Sequence, residues 1–565
     1  MRHIVSVGVS FDPSFNTGPT ARSLTSLGMT GAKRARVRYI TSPVMTTTVD
    51  EAALREAVAN EEPHTGTELA RGAFINVLAL VAANFRGIFT FLIARLLGTA
   101  TLGTFGIAWS TTDLLSKFGT YGMETSTIAL VAARQATSDT DGARALLRRA
   151  VLFGLLFSTV AALLGIAHFE IIGARFGQRP ELIRTTSLML LALPGIALYR
   201  ISNGVSRGMK VMKHDLYSHG FTETICTIVT LLIAMAIGLR DLAPAVAVLV
   251  GTAAGGLMAF TLARGLFAKH PASSERVYAP LLRFSTPIAI YSLLNLLIMR
   301  MDVLLLGILG PRAGVDLATI GVFVASVEIA GGMRKVRQAF DPMFTPIIAR
   351  QSAVRDQRAM EESFAQLGRW VLAAQLPLMG VLCVAGGIGL NIFGPGFNRG
   401  ATWVALLAVA HATNSFVGLA ETVIMIQRPK LNLINSGFTV ALQFGASVLL
   451  IPWLGATGAA LGMMLAYVTQ GVLRYCELRI LFKWHWPWAA FARPAIAFTI
   501  AIAAALPLRL LMHGWRGELT SGLVLLAVYV GAWMVIGLEE SDRVVLRQLW
   551  AGRRRRRRLE EDDAA

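Results

Sequence analysis

Asp113, Lys117 and Glu124 stand at i, i+4 and i+11 of a long apolar segment. At about 100° per residue, that spacing places them within roughly 40° on one helical face. Glu328, Gly332 and Lys335 share a face in the same way further along the chain. Arg86, Arg300 and Asp302 also interrupt apolar segments. A charge at the centre of a membrane helix costs roughly 2.5–3.5 kcal/mol on insertion scales. Such residues therefore mark a water-filled path, a binding cavity or a pairing partner rather than a lipid-facing surface. The chemistry each type offers is distinct. The guanidinium forks of Arg86 and Arg300 suit bidentate recognition of phosphate. Lys117, Arg334 and Lys335 suit attraction of an anionic headgroup. The carboxylates Asp113, Glu328, Glu124 and Asp302 suit a coupling proton or cation. Each has a plainer reading beside it. Arg86 would pair with an acid such as Asp113, Asp113 with Lys117, and Glu328 with Lys335. Arg334 and Lys335 would snorkel from a loop. The lone His411 reads as a satisfied interior histidine before it reads as a proton relay.

The elements that position these residues are apolar runs at roughly 72–97, 102–132, 145–167, 183–205, 216–238, 242–265, 284–309, 317–345, 369–391, 401–426, 432–451, 455–476, 492–512 and 519–538. Each is close to the ~20 residues that cross hydrocarbon. The expected fold is an all-α polytopic membrane protein of about 14 transmembrane helices. The composition agrees: 54% of the 565 residues are hydrophobic and 15% charged, against about 25% charged in a soluble domain.

The net charge of +19 would suggest nucleic acid in a soluble protein. Here the basic residues fall between apolar runs. Loops on one side carry 24 Lys and Arg, and loops on the other carry about 7. By the positive-inside rule, both termini are expected in the cytosol. The arginine run 553–558 anchors that orientation or meets anionic lipid. Residues 1–70 read as a disordered cytosolic tail without a cleaved signal peptide, with translation from Met45 as an alternative. Cys226, Cys383 and Cys476 are too scattered for a disulfide framework or a metal site. No P-loop, HExxH or CxxC pattern occurs, so no ATP hydrolysis by that route, no metal and no cofactor are expected. Asp139-Thr140-Asp141 mimics a glycosyltransferase motif but lies in a short loop. The chain is not expected to be an enzyme.

An internal repeat organises the spans. An offset of 215 places Gly106 on Gly321 and Asp113 on Glu328, and loosely aligns Arg86 with Arg300. The expected division is a tail (1–70), an N-lobe of six helices (71–265), a cytosolic linker (266–282), a C-lobe of six helices (283–480), two additional helices (481–540) and a basic/acidic tail (541–565). Parallel repeats of this kind place a substrate site between the lobes.

LIARLLGTATLGTFGIAWSTTDLLSKFGTYGMETSTIA, RMDVLLLGILG and GATGAALGMMLAYV resemble signatures of bacterial polysaccharide exporters and oligosaccharide flippases. That family belongs to the multidrug/oligosaccharidyl-lipid/polysaccharide transporter superfamily. The resemblance covers about residues 70–540. It implies two lobes forming a V around a central cavity, alternating access, and export of a lipid-pyrophosphate-linked oligosaccharide across the bacterial inner membrane. Glycosyltransferases and a glycan polymerase are the implied protein partners. The mixture of acids and bases keeps a second reading open, a proton- or sodium-coupled small-molecule or drug antiporter of the same superfamily.

Overall fold

The computed structural model describes residues 85–173, 180–267 and 278–537. The expected tails, the linker over 268–277 and the arginine run 553–558 lie outside these residues, as does the side chain of Arg86. The protein is all-α and multi-pass. Among the described residues, thirteen helical segments are long and apolar enough to cross a membrane, against the fourteen expected for the chain.

The difference lies in the first hairpin. One candidate runs from Gly87 to Ala136, and within it α1 (Phe85–Thr120) is broken at Gly98, where φ is 85° and ψ is −174°. Phe89 and Phe105 nevertheless stack edge to face with ring centroids 5.5 Å apart. Sixteen residues of straight helix would separate them by about 24 Å. The chain therefore folds back at Gly98, and the segment is two helices. Glycine is required there because the positive φ is costly for any residue with a Cβ.

The N-lobe continues with α2 (Met123–Ala136), α3 (Thr140–His168), α4 (Pro180–Leu190), α5 (Leu193–Gly208), α6 (Thr224–Ala236) and α7 (Ala243–Gly265). Its centre is α5, packed on α2, α3 and α7. Small residues permit the close approach. A Cβ at Gly195 would lie 2.9 Å from the Thr252 carbonyl oxygen, and one at Gly256 would lie 2.8 Å from that of Gly195. The C-lobe comprises α8 (Tyr278–Leu309), α9 (Leu317–Gly331), α10 (Arg334–Ala353), α11 (Gln357–Asn391), α12 (Ala401–Gln427), α13 (Pro429–Leu454) and α14 (Ala456–Ile480). The last pair, α15 (Trp488–Leu511) and α16 (Gly514–Ala532), packs on α11. Glu518 fixes that pair. It accepts from the Ile388 amide at 2.7 Å and meets Arg509 at 3.3 Å.

The lobes meet chiefly through α1 against α9 and α8, and through α2 against α8. At the Gly98 end, the α1–α9 contact is reciprocal. A Cβ on Gly103 would collide with the Leu317 carbonyl oxygen, and a Cβ on Gly321 would collide with that of Thr99. Exchanging Thr99 with Leu317 and Gly103 with Gly321 maps one contact onto the other, the signature of a two-fold interface. Gly321 lies 218 residues after Gly103, so the repeat is in register three residues away from the offset of 215. The pattern GTF at 103–105 then falls on GVF at 321–323. Small residues recur too often in both helices for sequence matching to separate registers one turn apart.

Candidate functional site

Near the middle of the lobe contact stands a cluster of charges drawn from both lobes. Asp113 of α1 is buried. Its Oδ1 accepts from Arg200 Nη2 at 3.0 Å. Its Oδ2 accepts from Arg300 Nε at 3.2 Å, with Arg300 Nη2 at the same distance. Arg200 belongs to α5 and Arg300 to α8, so one carboxylate joins three helices and both lobes. Arg200 is held further by Ser116 Oγ at 3.0 Å and by the Tyr199 hydroxyl, to which its Nε donates at 3.2 Å.

Lys117 does not serve Asp113. Its Nζ meets Glu124 Oε1 at 2.5 Å, while Glu124 Oε2 lies 3.8 Å from Arg200 Nε. In a straight helix, seven residues span about 10.5 Å along the axis. The chain breaks between them, with φ of 46° at Tyr121 and 70° at Gly122, and that break brings the two side chains together. The cluster thus holds Asp113, Glu124, Lys117, Arg200 and Arg300, three positive charges against two negative. Each carboxylate oxygen of its acids lies within 4 Å of a base, in keeping with the rule that buried charges are paired.

The expected C-lobe stripe takes a different form. Glu328 is exposed although residues 320–327 around it are buried. Gly332 on the same face is exposed, and Lys335 is half-buried. No ion pair joins Glu328, Arg334 or Lys335 to a partner among the described residues. Asp302 points into the C-lobe. It is fully buried and accepts from the Val303 amide at 2.8 Å through Oδ1, while Oδ2 finds no partner among the described residues. His411 is buried too, 5.9 Å from the Tyr467 ring between centroids, and neither of its ring nitrogens has a partner among the described residues. It is interior, as the sequence suggests, but unsatisfied.

Sequence reasoning places Arg200 and Glu421 in the cytosolic third of their spans but gives neither a role. Arg200 was placeable from ALYRISNG, an arginine within an apolar helix. Its partners, 84 and 87 residues away, leave no local trace. A second cluster lies inside the C-lobe, where Glu421 meets Arg474 at 3.0 Å, Arg337 at 3.4 Å and the Tyr291 hydroxyl at 2.9 Å. No group of three or more His, Cys, Asp or Glu able to hold a metal ion occurs among the described residues.

Two helical lobes thus meet at a charged seam in a multi-pass membrane protein. Residues 69–321 match the family model described as polysaccharide biosynthesis protein, which bears out the resemblance carried by the first hairpin. No curated protein matches the chain. Among solved structures, the lipid II flippase MurJ in an inward closed conformation is similar at a TM-score of 0.62 and 14% identity, over 83% of this chain and 98% of that one. An inward-facing multidrug resistance MATE family transporter of the MOP superfamily is similar at 0.60 and 15% identity, over 76% and 99%. A MOP superfamily transporter from Pyrococcus furiosus reaches 0.52 and 14%, over 74% and 95%. At these identities the likeness is one of fold.

Proposed function

We propose that the protein is a flippase that carries a lipid-pyrophosphate-linked oligosaccharide from the cytosolic to the outer leaflet of the bacterial inner membrane. Both termini face the cytosol, and the Gly98 end faces outward. Glycosyltransferases that build the oligosaccharide and a polymerase that consumes it are its working partners. The observation that carries this reading is the Arg200–Asp113–Arg300 bridge. Its two guanidinium forks converge on one carboxylate at the seam between the lobes. A phosphate offers pairs of oxygens that a guanidinium fork grips in the same bidentate way, with more charge. An entering phosphate competes with Asp113 for the forks, and in doing so it loosens the tie between the lobes. Substrate binding and lobe movement are then one event. Lys117, Arg334 and Lys335 extend the positive field toward the cytosolic side, and Arg86 belongs to the helix that precedes the Gly98 break.

Reconstituted vesicles test this with a fluorescent polyisoprenyl-pyrophosphate disaccharide, read by quenching from outside. The intact protein is expected to equilibrate the probe between leaflets, and Arg200→Ala to slow it at least tenfold. Equilibration by the intact protein at the rate of protein-free vesicles would overturn the proposal.

Asp302 supports ion coupling. A carboxylate held in a membrane interior with one unpartnered oxygen is costly, and a proton or monovalent cation relieves it. Asp113, Glu124 and Glu328 are the other acids near the path, but the first two are already neutralised by bases. Asp302→Asn is expected to abolish any stimulation of flipping by an imposed proton or sodium gradient. Stimulation that persists in that variant removes Asp302 from the coupling step. The same acid would serve the antiporter reading. Ion-driven efflux of a cationic dye, with no movement of the glycolipid probe, would establish that reading instead.

A further inference from the structure

Beside the charged seam lies a cavity of about 520 Å³ between α1, α3 and α8, within the 300–1,000 Å³ typical of ligand sites. Its walls are nearly all hydrocarbon. Leu114 and Phe118 come from α1, Val160, Ala161 and Leu164 from α3, and Leu304 from α8. The mouth opens on the lipid-facing surface: Phe118 is 49% exposed and Leu164 is 67% exposed. The inner wall adjoins the cluster of bases. Leu304 follows Arg300 by four residues on the same face of α8, about 6 Å along the helix. Leu114 follows Asp113 directly.

An apolar chamber open to lipid on one side, and on the other one helical turn from Arg300 and beside the Asp113 that holds Arg200, is complementary to an amphiphile with an anionic head. We propose that this cavity holds a hydrocarbon chain of the polyisoprenyl carrier while the phosphate engages Arg200 and Arg300. The inference rests on the flippase reading and adds where the lipid half of the substrate travels. Retaining the chain in a side chamber keeps it away from the charged seam between the lobes. Exposing hydrocarbon there costs about 25 cal/mol per Å².

The test uses the full chain in nanodiscs and a long-chain polyisoprenyl phosphate with a photoreactive diazirine in its hydrocarbon. Labelling is expected on peptides containing residues 111–118 and 157–169, suppressed by unlabelled polyisoprenyl phosphate but not by equal excess phosphatidylglycerol. Ala161→Trp fills the chamber and should cut that labelling at least tenfold. Leu164→Trp blocks the mouth from a lipid-facing position, where folding is undisturbed, and should do the same. Saturable binding that needs Arg200 and Arg300 but labels other peptides would overturn the cavity and leave the flippase reading standing. Competition by phosphatidylglycerol would assign the chamber to a bilayer lipid and overturn the inference. An intact protein that shows no saturable binding of the probe would remove the flippase reading and the cavity with it.

Discussion

Arg300→Ala is expected to lower glycolipid flipping at least tenfold while the protein still inserts in the membrane. The arginine supplies both the Nε and the Nη2 contact to Asp113 at 3.2 Å. Removing it changes the cluster from three bases and two acids to two of each, so an arriving phosphate meets no net attraction. Stripping one partner from a fully buried bridge costs about 3–5 kcal/mol. Asp113 keeps Arg200, and the Arg300 side chain is 23% exposed, so the stability loss here is smaller than that range. The functional loss is therefore larger than the folding loss. Arg300→Lys retains charge without the fork and is expected to fall between the two. A double variant separates substrate contact from lobe tethering. If Arg300 only ties the lobes, Asp113→Asn with Arg300→Gln replaces the ion pair by a neutral hydrogen bond and restores transport. If the guanidinium holds phosphate, the double variant stays as slow as Arg300→Ala. Restored flipping in the double variant would sink the phosphate clamp.

The way these residues meet explains what was legible in the sequence. The all-α membrane fold and the presence of buried charges follow from local composition, because hydrocarbon accepts few polar groups and fixes helix length. Pairing does not follow from composition. Asp113 has a lysine four residues away on its own helix face, which is the nearest partner in a straight helix. The structure gives it Arg200 and Arg300 instead, and gives Lys117 to Glu124, because the break at Tyr121–Gly122 redirects the end of the helix. A positive φ at a tyrosine carries no clear sequence signal beyond the glycine beside it. The repeat was legible as a style of sequence but not in register. Only the reciprocal approach of Gly103 and Gly321 selects the pairing that is three residues away. Asp113 consequently has Gly331 as its counterpart, and Glu328 has Ser110. The apparent symmetry of charges between lobes dissolves. Of the paired charges at the seam only Arg300 comes from the C-lobe, where Glu328 is exposed and Asp302 buried.

That register also predicts the second large effect. Gly321→Val is expected to reduce transport at least tenfold by preventing closure at the Gly98 end. A Cβ on Gly321 meets the Thr99 carbonyl oxygen and comes within 2.9 Å of the Gly103 amide nitrogen, both backbone atoms of α1. Neither can rotate away as a side chain would, so the helices must separate. Packed interfaces respond to such a clash by switching between discrete arrangements rather than by graded deformation. The lobes should settle with the Gly98 end open. Glycine at 103 is constrained identically through Leu317, whereas Gly106 faces the side chain of Val324, which is able to shift. Gly106→Ala should therefore be milder than Gly103→Ala. The conformational shift can be read in a background lacking Cys226, Cys383 and Cys476, with a reporter cysteine replacing Ile107, which is buried beneath the contact. An impermeant maleimide applied at the Gly98 end should leave the reporter untouched in the otherwise intact protein and modify it in Gly321→Val. Protection of the reporter together with normal flipping in Gly321→Val would show that the seal is not part of the cycle. Protection with lost flipping would point to a defect elsewhere in the lobe. Modification with lost flipping identifies the glycine pair as the contact that each turnover must remake.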